Sequence, residues 1–120
     1  MGSEVRLSRV YAEPSPQDGL RVLVDRIWPR GLSRQAAHVD EWFKDVAPSK
    51  ELRVWYGYDP DKYTEFRRRY RAELAEPERG AALERLRELV RERPMTLVTA
   101  TKDIEHSQAA VLAERLRRAR

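Results

Sequence analysis

The stretch Leu20-Arg-Val-Leu-Val-Asp-Arg-Ile-Trp-Pro-Arg-Gly31 decides how the chain folds. Val22, Leu23, Val24 and Ile27 follow one another almost without polar interruption, the pattern of a β-strand covered on both faces and therefore interior to a parallel sheet. A strand with one wet face would alternate instead. Trp28-Pro29-Arg30-Gly31 ends this strand, read as Leu20 to Trp28, because proline has no amide hydrogen to donate and forces the preceding residue extended. Gly31 then permits a sharp change of direction.

Working outward from that strand, Val5, Leu7 and Val10 alternate with Arg6, Ser8 and Arg9, which predicts a half-buried strand over residues 4 to 10 towards a sheet edge. Pro14, Ser15, Pro16, Asp18 and Gly19 form a turn-rich break between the two strands. On the other side, Ser33 caps a short helix over Arg34 to Ala37. Val39 to Lys44 is read as a short strand, with helix as the alternative. Ser49 offers its hydroxyl to the first amides of a helix over Lys50 to Tyr56. Asp59-Pro60 sets an N-cap acceptor before a proline at the first helical position, and Tyr63, Phe66, Tyr70 and Leu74 then share one helical face. Pro77 starts another helix, with Leu83, Leu86, Leu89 and Val90 as its buried stripe, and Pro94 stops it. Thr96 to Thr101 is a second interior strand. Asp103 is placed to cap a final helix whose Ala109, Leu112, Ala113 and Leu116 pack on the sheet. Strand, helices, strand, helix is the order of a right-handed parallel crossover. The expected fold is thus a small three-layer α/β domain, a short mainly parallel sheet flanked by helices, with the Leu20 and Thr96 strands side by side.

A chain of 120 residues is the usual size of one domain. It is 41% hydrophobic and 37% charged with the two signs interleaved, which suits a folded, highly soluble protein rather than a disordered one. The absence of cysteine removes disulfides, thiolate nucleophiles and thiolate metal ligands together. No apolar run approaches the roughly 20 residues that span a bilayer, and the N-terminus lacks the apolar stretch of a signal peptide, so the expectation is a cytoplasmic protein without membrane contact. A net charge of +4 permits phosphate-bearing partners without demanding them.

In open parallel sheets ligands bind beyond the carboxyl ends of the strands. One such end supplies Asp25, Arg26 and Arg30, the other Thr101, Lys102, Asp103 and His106. Converging guanidinium groups at Arg26 and Arg30 would take phosphate or carboxylate through paired hydrogen bonds; otherwise Asp25 pairs with Arg26 and only locks the turn. His106, with an intrinsic pKa of about 6.5, suits a general acid or base, or is simply held by packing and one hydrogen bond. Asp25 and Asp103 could face each other as an acid/base pair or around a cation, but cation sites usually need three or more protein ligands and only His106 would join them, so no metal is assigned. No cofactor is indicated. Lys44, Ser49 and Arg53 precede or open a helix where an anion could sit, Ser49 being read as a cap. Trp28, Trp42 and Trp55 are core or contact residues, or with Tyr56 and Tyr58 a surface for stacking bases. Arg67, Arg68, Arg69, Arg71, Arg115, Arg117, Arg118 and Arg120 either touch a phosphate backbone or form solvated faces neutralised by nearby glutamates.

The run Arg21 to Ser33 is similar to the signature of the YeaO-like proteins, a branch of the larger family grouped as domain of unknown function 488. Further matches are Lys44 with Ala47-Pro48-Ser49, Leu52-Arg53 with Trp55, Phe66 with Tyr70 and Glu73-Leu74, and Lys102-Asp103 with His106 and Ala109, which together span nearly the whole chain. The resemblance implies a compact three-layer α/β fold and brings no established activity. Family members often carry an aromatic near Thr99 and a His-Asn-His-Ala run, where this chain reads His106-Ser-Gln-Ala109. The wider family frequently has cysteines near this strand end, and this chain has none.

The functional expectation is a small phosphate-bearing or carboxylate ligand held by Arg26, Arg30 and Lys102, with Asp25, Asp103 and His106 in polar or proton-transfer roles, with or without catalysis. A nucleic-acid-binding module built on the helical arginines and a structural or partner-binding role are the alternatives. Everything about ligands depends on Asp25 to Gly31 and Thr101 to His106 emerging on the same rim of the sheet.

Overall fold

The computed structural model describes residues 4–117. In chain order the elements are β1 (Val5–Arg9), β2 (Leu20–Leu23), α1 (Arg34–Ala37), β3 (Glu41–Trp42), α2 (Lys50–Tyr56), α3 (Tyr63–Leu74), α4 (Pro77–Glu92), β4 (Met95–Thr99) and α5 (Gln108–Arg117), with single 3-10 turns at Pro16–Asp18, Lys44–Val46, Pro60–Lys62 and Ile104–His106. The four strands form one all-parallel sheet in the order β1-β4-β2-β3. β2 and β4 are the interior pair, as their unbroken apolar runs require, and every residue of both is buried. β1 lies at one edge and β3 at the other.

The sheet has two unequal coverings. On one face Leu20, Val22, Met95 and Leu97 meet apolar residues of the four longer helices, among them Leu52, Phe66, Tyr70, Leu83, Leu86, Ala109 and Leu112. On the other, Leu23, Val98, Val10 and Ala37 form a small cluster completed by Trp28, Leu32, Val39 and Trp42. That second covering is little more than α1 and the segment after β2.

Strand ends differ from the sequence reading in a consistent way. β2 stops at Leu23 and not at Trp28, and β4 runs Met95–Thr99 and not Thr96 to Thr101. The last ladder bond between β2 and β4 is Val24 N–H to the Val98 carbonyl, and beyond it side-chain hydrogen bonds of Asp25 take over. Ile27, read as part of the apolar run, is 70% exposed.

Arg21 sits inside β2 with 4% of its side chain exposed and pairs with Asp18 at 2.9 Å. Its other nitrogens donate to the carbonyls of His38, Ala37 and Val10, so the buried cation is fully surrounded by acceptors. Just before it, Gly19 has φ +64° and lies against Pro94, where an added Cβ would come within 2.2 Å of the carbonyl oxygen. Gly19→Ala is therefore expected to destabilise the protein by at least about 2 kcal/mol, combining a left-handed backbone with a clash that only backbone movement relieves. Urea denaturation checks this, and a change below about 0.5 kcal/mol would show that the β2 entry is not tightly seated.

Candidate functional site

The two segments after β2 and β4 emerge on the same rim, joined through Asp25. Its carboxylate accepts hydrogen bonds from Thr99 Oγ1 at 2.6 Å, the Ala100 amide at 2.8 Å and Gln108 Nε2 at 2.6 Å. Burial pushes the Asp25 carboxyl above the usual carboxylate range, and these three donors oppose that shift without cancelling it. Asp25 therefore does not pair with Arg26, and no bond joins it to Asp103.

Two indoles fix the segment that follows. Trp42 Nε1 donates to the Asp25 carbonyl at 2.7 Å, and Trp28 Nε1 to the Leu32 carbonyl at 2.6 Å. The rings meet edge to face at 5.4 Å, and the Arg34 guanidinium lies 4.5 Å from the Trp28 centroid. Pinned this way, residues 26–30 project from the sheet rim.

Between this segment and α2 lies a cleft of about 290 Å³. Asp25, Arg26, Ile27, Trp28 and Arg30 line one side, while Arg53, Tyr56 and Tyr58 come from α2 and its end; Phe66, Ala100 and Gln108 complete the wall. The inner lining is aromatic: Tyr56 stacks on Phe66 at 4.1 Å, and its hydroxyl donates to the His106 carbonyl at 2.6 Å. Burial pushes that phenol up to about 12, so it remains a donor. Ile27 and Tyr58, by contrast, expose 70% and 71% of their surface. Tyr58 has φ +58°, directly after the left-handed Gly57 that ends α2, a conformation non-glycine residues seldom hold.

A second cleft of about 250 Å³ adjoins the first and shares Arg26, Pro48 and Arg53 with it, adding Asp45, Ser49, Lys50, Glu78 and Arg79. Arg26 reaches Asp45 only at 3.6 Å, with both side chains half exposed, a weak pairing. Arg53 is different: its Nε is buried without an acceptor. Arg9, Arg87 and Arg115 share that trait, but Arg9 and Arg87 place a terminal nitrogen on the Ala100 carbonyl and on Glu84, and Arg115 lines neither cleft. Arg53 thus brings to both clefts a half-buried guanidinium that no carboxylate among the described residues answers.

Of the remaining candidates from the sequence, only Ser49 lines either of these clefts, the second one. Lys44 lies 5.3 Å over the Trp42 ring, and Lys102 is exposed and lines neither cleft. Ser49 is a helix cap, accepting from the Leu52 amide at 3.1 Å and donating to Glu73 at 2.5 Å. Asp103 does not cap α5: its carboxylate pairs with His106 Nδ1 at 2.8 Å, and the Ser107 hydroxyl caps the helix by accepting from the Ala110 amide at 3.3 Å. His106 thus lies in the turn before α5, edge-on to Tyr63 at 5.0 Å and outside the cleft lining. Among the described residues no group of three or more His, Asp or Glu is placed to hold a metal ion. Arg68 and Arg69 are bound to Glu65, and Arg67 and Arg71 reach Glu114. Trp55 is covered by Lys62 and Arg69. Arg118 and Arg120 lie outside the described residues. No described helix is long and apolar enough to cross a membrane.

Comparison with known proteins places the chain. A family model described as "Inactive DUF488-N3 subclade" matches residues 4–120. An uncharacterized protein of Mycobacterium tuberculosis H37Rv is 50% identical over 114 residues, covering 95% of this chain and 94% of that protein. The uncharacterized protein YeaO of Escherichia coli K12 is 39% identical over 113 residues, covering 94% and 96%. The chain belongs to the YeaO-like DUF488 family. No solved structure gives a significant match. Membership of the YeaO-like family agrees with the resemblance carried by Arg21 to Ser33, the segment that forms β2 and one side of the cleft.

Two outcomes follow from the geometry. Arg53→Met is expected to leave folding stability unchanged or raise it by up to about 1 kcal/mol, since it removes an unsatisfied buried donor; a loss above about 1 kcal/mol in urea denaturation would mean the guanidinium is a structural partner. For Asp25, the raised carboxyl means that, from about pH 4 upward, the folded chain keeps a proton the unfolded chain has released. The stability of wild type relative to Asp25→Asn should therefore fall as pH rises through that window, and a difference that grows with pH would contradict the burial assigned to this group.

Proposed function

We propose that this protein binds a small ligand bearing a phosphate or carboxylate group in the cleft between the segment after β2 and the end of α2. The observation that carries the reading is that Arg53, a half-buried guanidinium with no carboxylate partner among the described residues, lines the cleft together with Arg26 and Arg30. Arg26 and Arg30 line the same cleft, and Asp25, the acidic residue in its lining, is already committed to three donors. A planar guanidinium with free N–H groups matches the geometry of phosphate and carboxylate oxygens.

The role proposed is holding rather than transforming the ligand. A general base needs a lone pair within reach of the substrate, and three of the roughly four lone-pair sites of the Asp25 carboxylate are taken by Thr99, Ala100 and Gln108. The word "inactive" in the description of the matching family model points the same way for this member.

Inorganic phosphate, pyrophosphate and citrate are suitable probes. A probe present at ten times its Kd contributes about 1.4 kcal/mol, which raises Tm by roughly 5 °C for a chain of this size. The rise is expected in the wild type and absent in Arg26→Ala/Arg53→Ala. An equal rise in both proteins, or none in either with all three probes, would refute binding at this cleft.

A further inference from the structure

The proposed anion site is one half of a larger surface. Pockets that hold small molecules commonly enclose about 300–1,000 Å³; at about 290 and 250 Å³ each cleft alone falls below that range, and the two together fall inside it. They are divided only by Arg26, Pro48 and Arg53, which line both. Their chemistry differs. The first is walled by aromatic rings and carries Ile27 and Tyr58, two of the four exposed large hydrophobic residues among those described. The second is polar and adds Lys50, exposed and without a side-chain partner among the described residues.

Resting on the anion reading above, we propose that the ligand is a nucleotide with at least two phosphates. Its base lies against Tyr58 and Ile27 in the first cleft, one phosphate meets Arg26 and Arg53 at the boundary, and the next reaches Lys50 in the second. A monocarboxylate or a sugar monophosphate would leave Lys50 or the apolar rim unused. The left-handed backbone at Tyr58 supports the assignment, because backbone strain concentrates at ligand-contacting positions and here it holds an exposed ring beside the cleft. Base-on-aromatic stacking tolerates any base, so the ring alone does not select one.

Isothermal titration of the full chain with the diphosphates of adenosine, guanosine, cytidine and uridine, set beside their monophosphates and pyrophosphate, tests this. At least one nucleoside diphosphate should bind about tenfold or more tighter than both pyrophosphate and its own monophosphate. Tyr58→Asn, which tolerates the left-handed backbone, should reduce that diphosphate to the affinity of pyrophosphate and leave pyrophosphate unchanged. Lys50→Ala should weaken the diphosphate and not the monophosphate. If all four diphosphates bind no tighter than pyrophosphate, the nucleotide assignment falls while the anion site stands. If no nucleotide binds and inorganic phosphate, pyrophosphate and citrate also fail to bind, both fall. A mixed-sequence tetranucleotide binding more than tenfold tighter than every diphosphate would also overturn the assignment in favour of a nucleic-acid strand.

Discussion

The Asp25 carboxylate is the junction on which the rest of the site depends. It closes the rim of the sheet between its two interior strands, tying the end of β2 to Thr99 and Ala100 at the end of β4 and to Gln108 at the start of α5. Each donor would be costly to leave unpaired at this depth, and together they hold the chain in the position where it leaves the sheet. The charge is then spent internally. Arg26 loses its chain neighbour as a counter-ion and turns to the distant Asp45, while Arg30 has no side-chain partner among the described residues.

From that junction the basic character of the cleft follows by counting charges. Several arginines away from the clefts are answered by carboxylates: Arg21 by Asp18, Arg68 and Arg69 by Glu65, Arg67 by Glu114, Arg87 by Glu84. In the first cleft Arg30 and Arg53 have no carboxylate partner among the described residues, and Arg26 has only its weak contact to Asp45. A surface with unpaired Arg53 and a left-handed Tyr58 is less stable than it needs to be for folding alone, and such local departures from good packing concentrate where ligands are met.

Much of the architecture was legible in the chain. Unbroken apolar runs marked β2 and β4 as interior and parallel, and proline and small-polar signals marked the starts of α1, α2 and the α3 region, because those signals act through backbone chemistry within a few residues. What escaped depended on partners distant in sequence. Ile27 reads as core but sits past the point where Asp25 diverts the strand. Arg21 reads as an interruption in an apolar run, yet carbonyls from three separate segments satisfy it. Asp103 reads as the cap of the last helix, but a 3-10 turn over Ile104–His106 intervenes and places Ser107 directly before α5. For the site, Asp25, Arg26, Arg30 and Arg53 were identifiable as strand-end or helix-start polar residues. Gln108 was not, since an amide carries no charge signal, and Tyr56 and Tyr58 were visible only as aromatics in basic company. Lys102, Asp103 and His106 share the rim with the cleft but stand outside its lining.

The central claim is that the Arg53 guanidinium, with Arg26 beside it, meets an anion at this cleft. Proton–nitrogen correlation spectra of the arginine Nε–H groups, recorded while pyrophosphate is titrated into the intact protein, test it most directly. The account predicts that the Arg53 Nε–H resonance shifts most and in step with Arg26, while Arg67, Arg68 and Arg69 stay still. Movement confined to those helical arginines, with Arg53 unchanged, would contradict it.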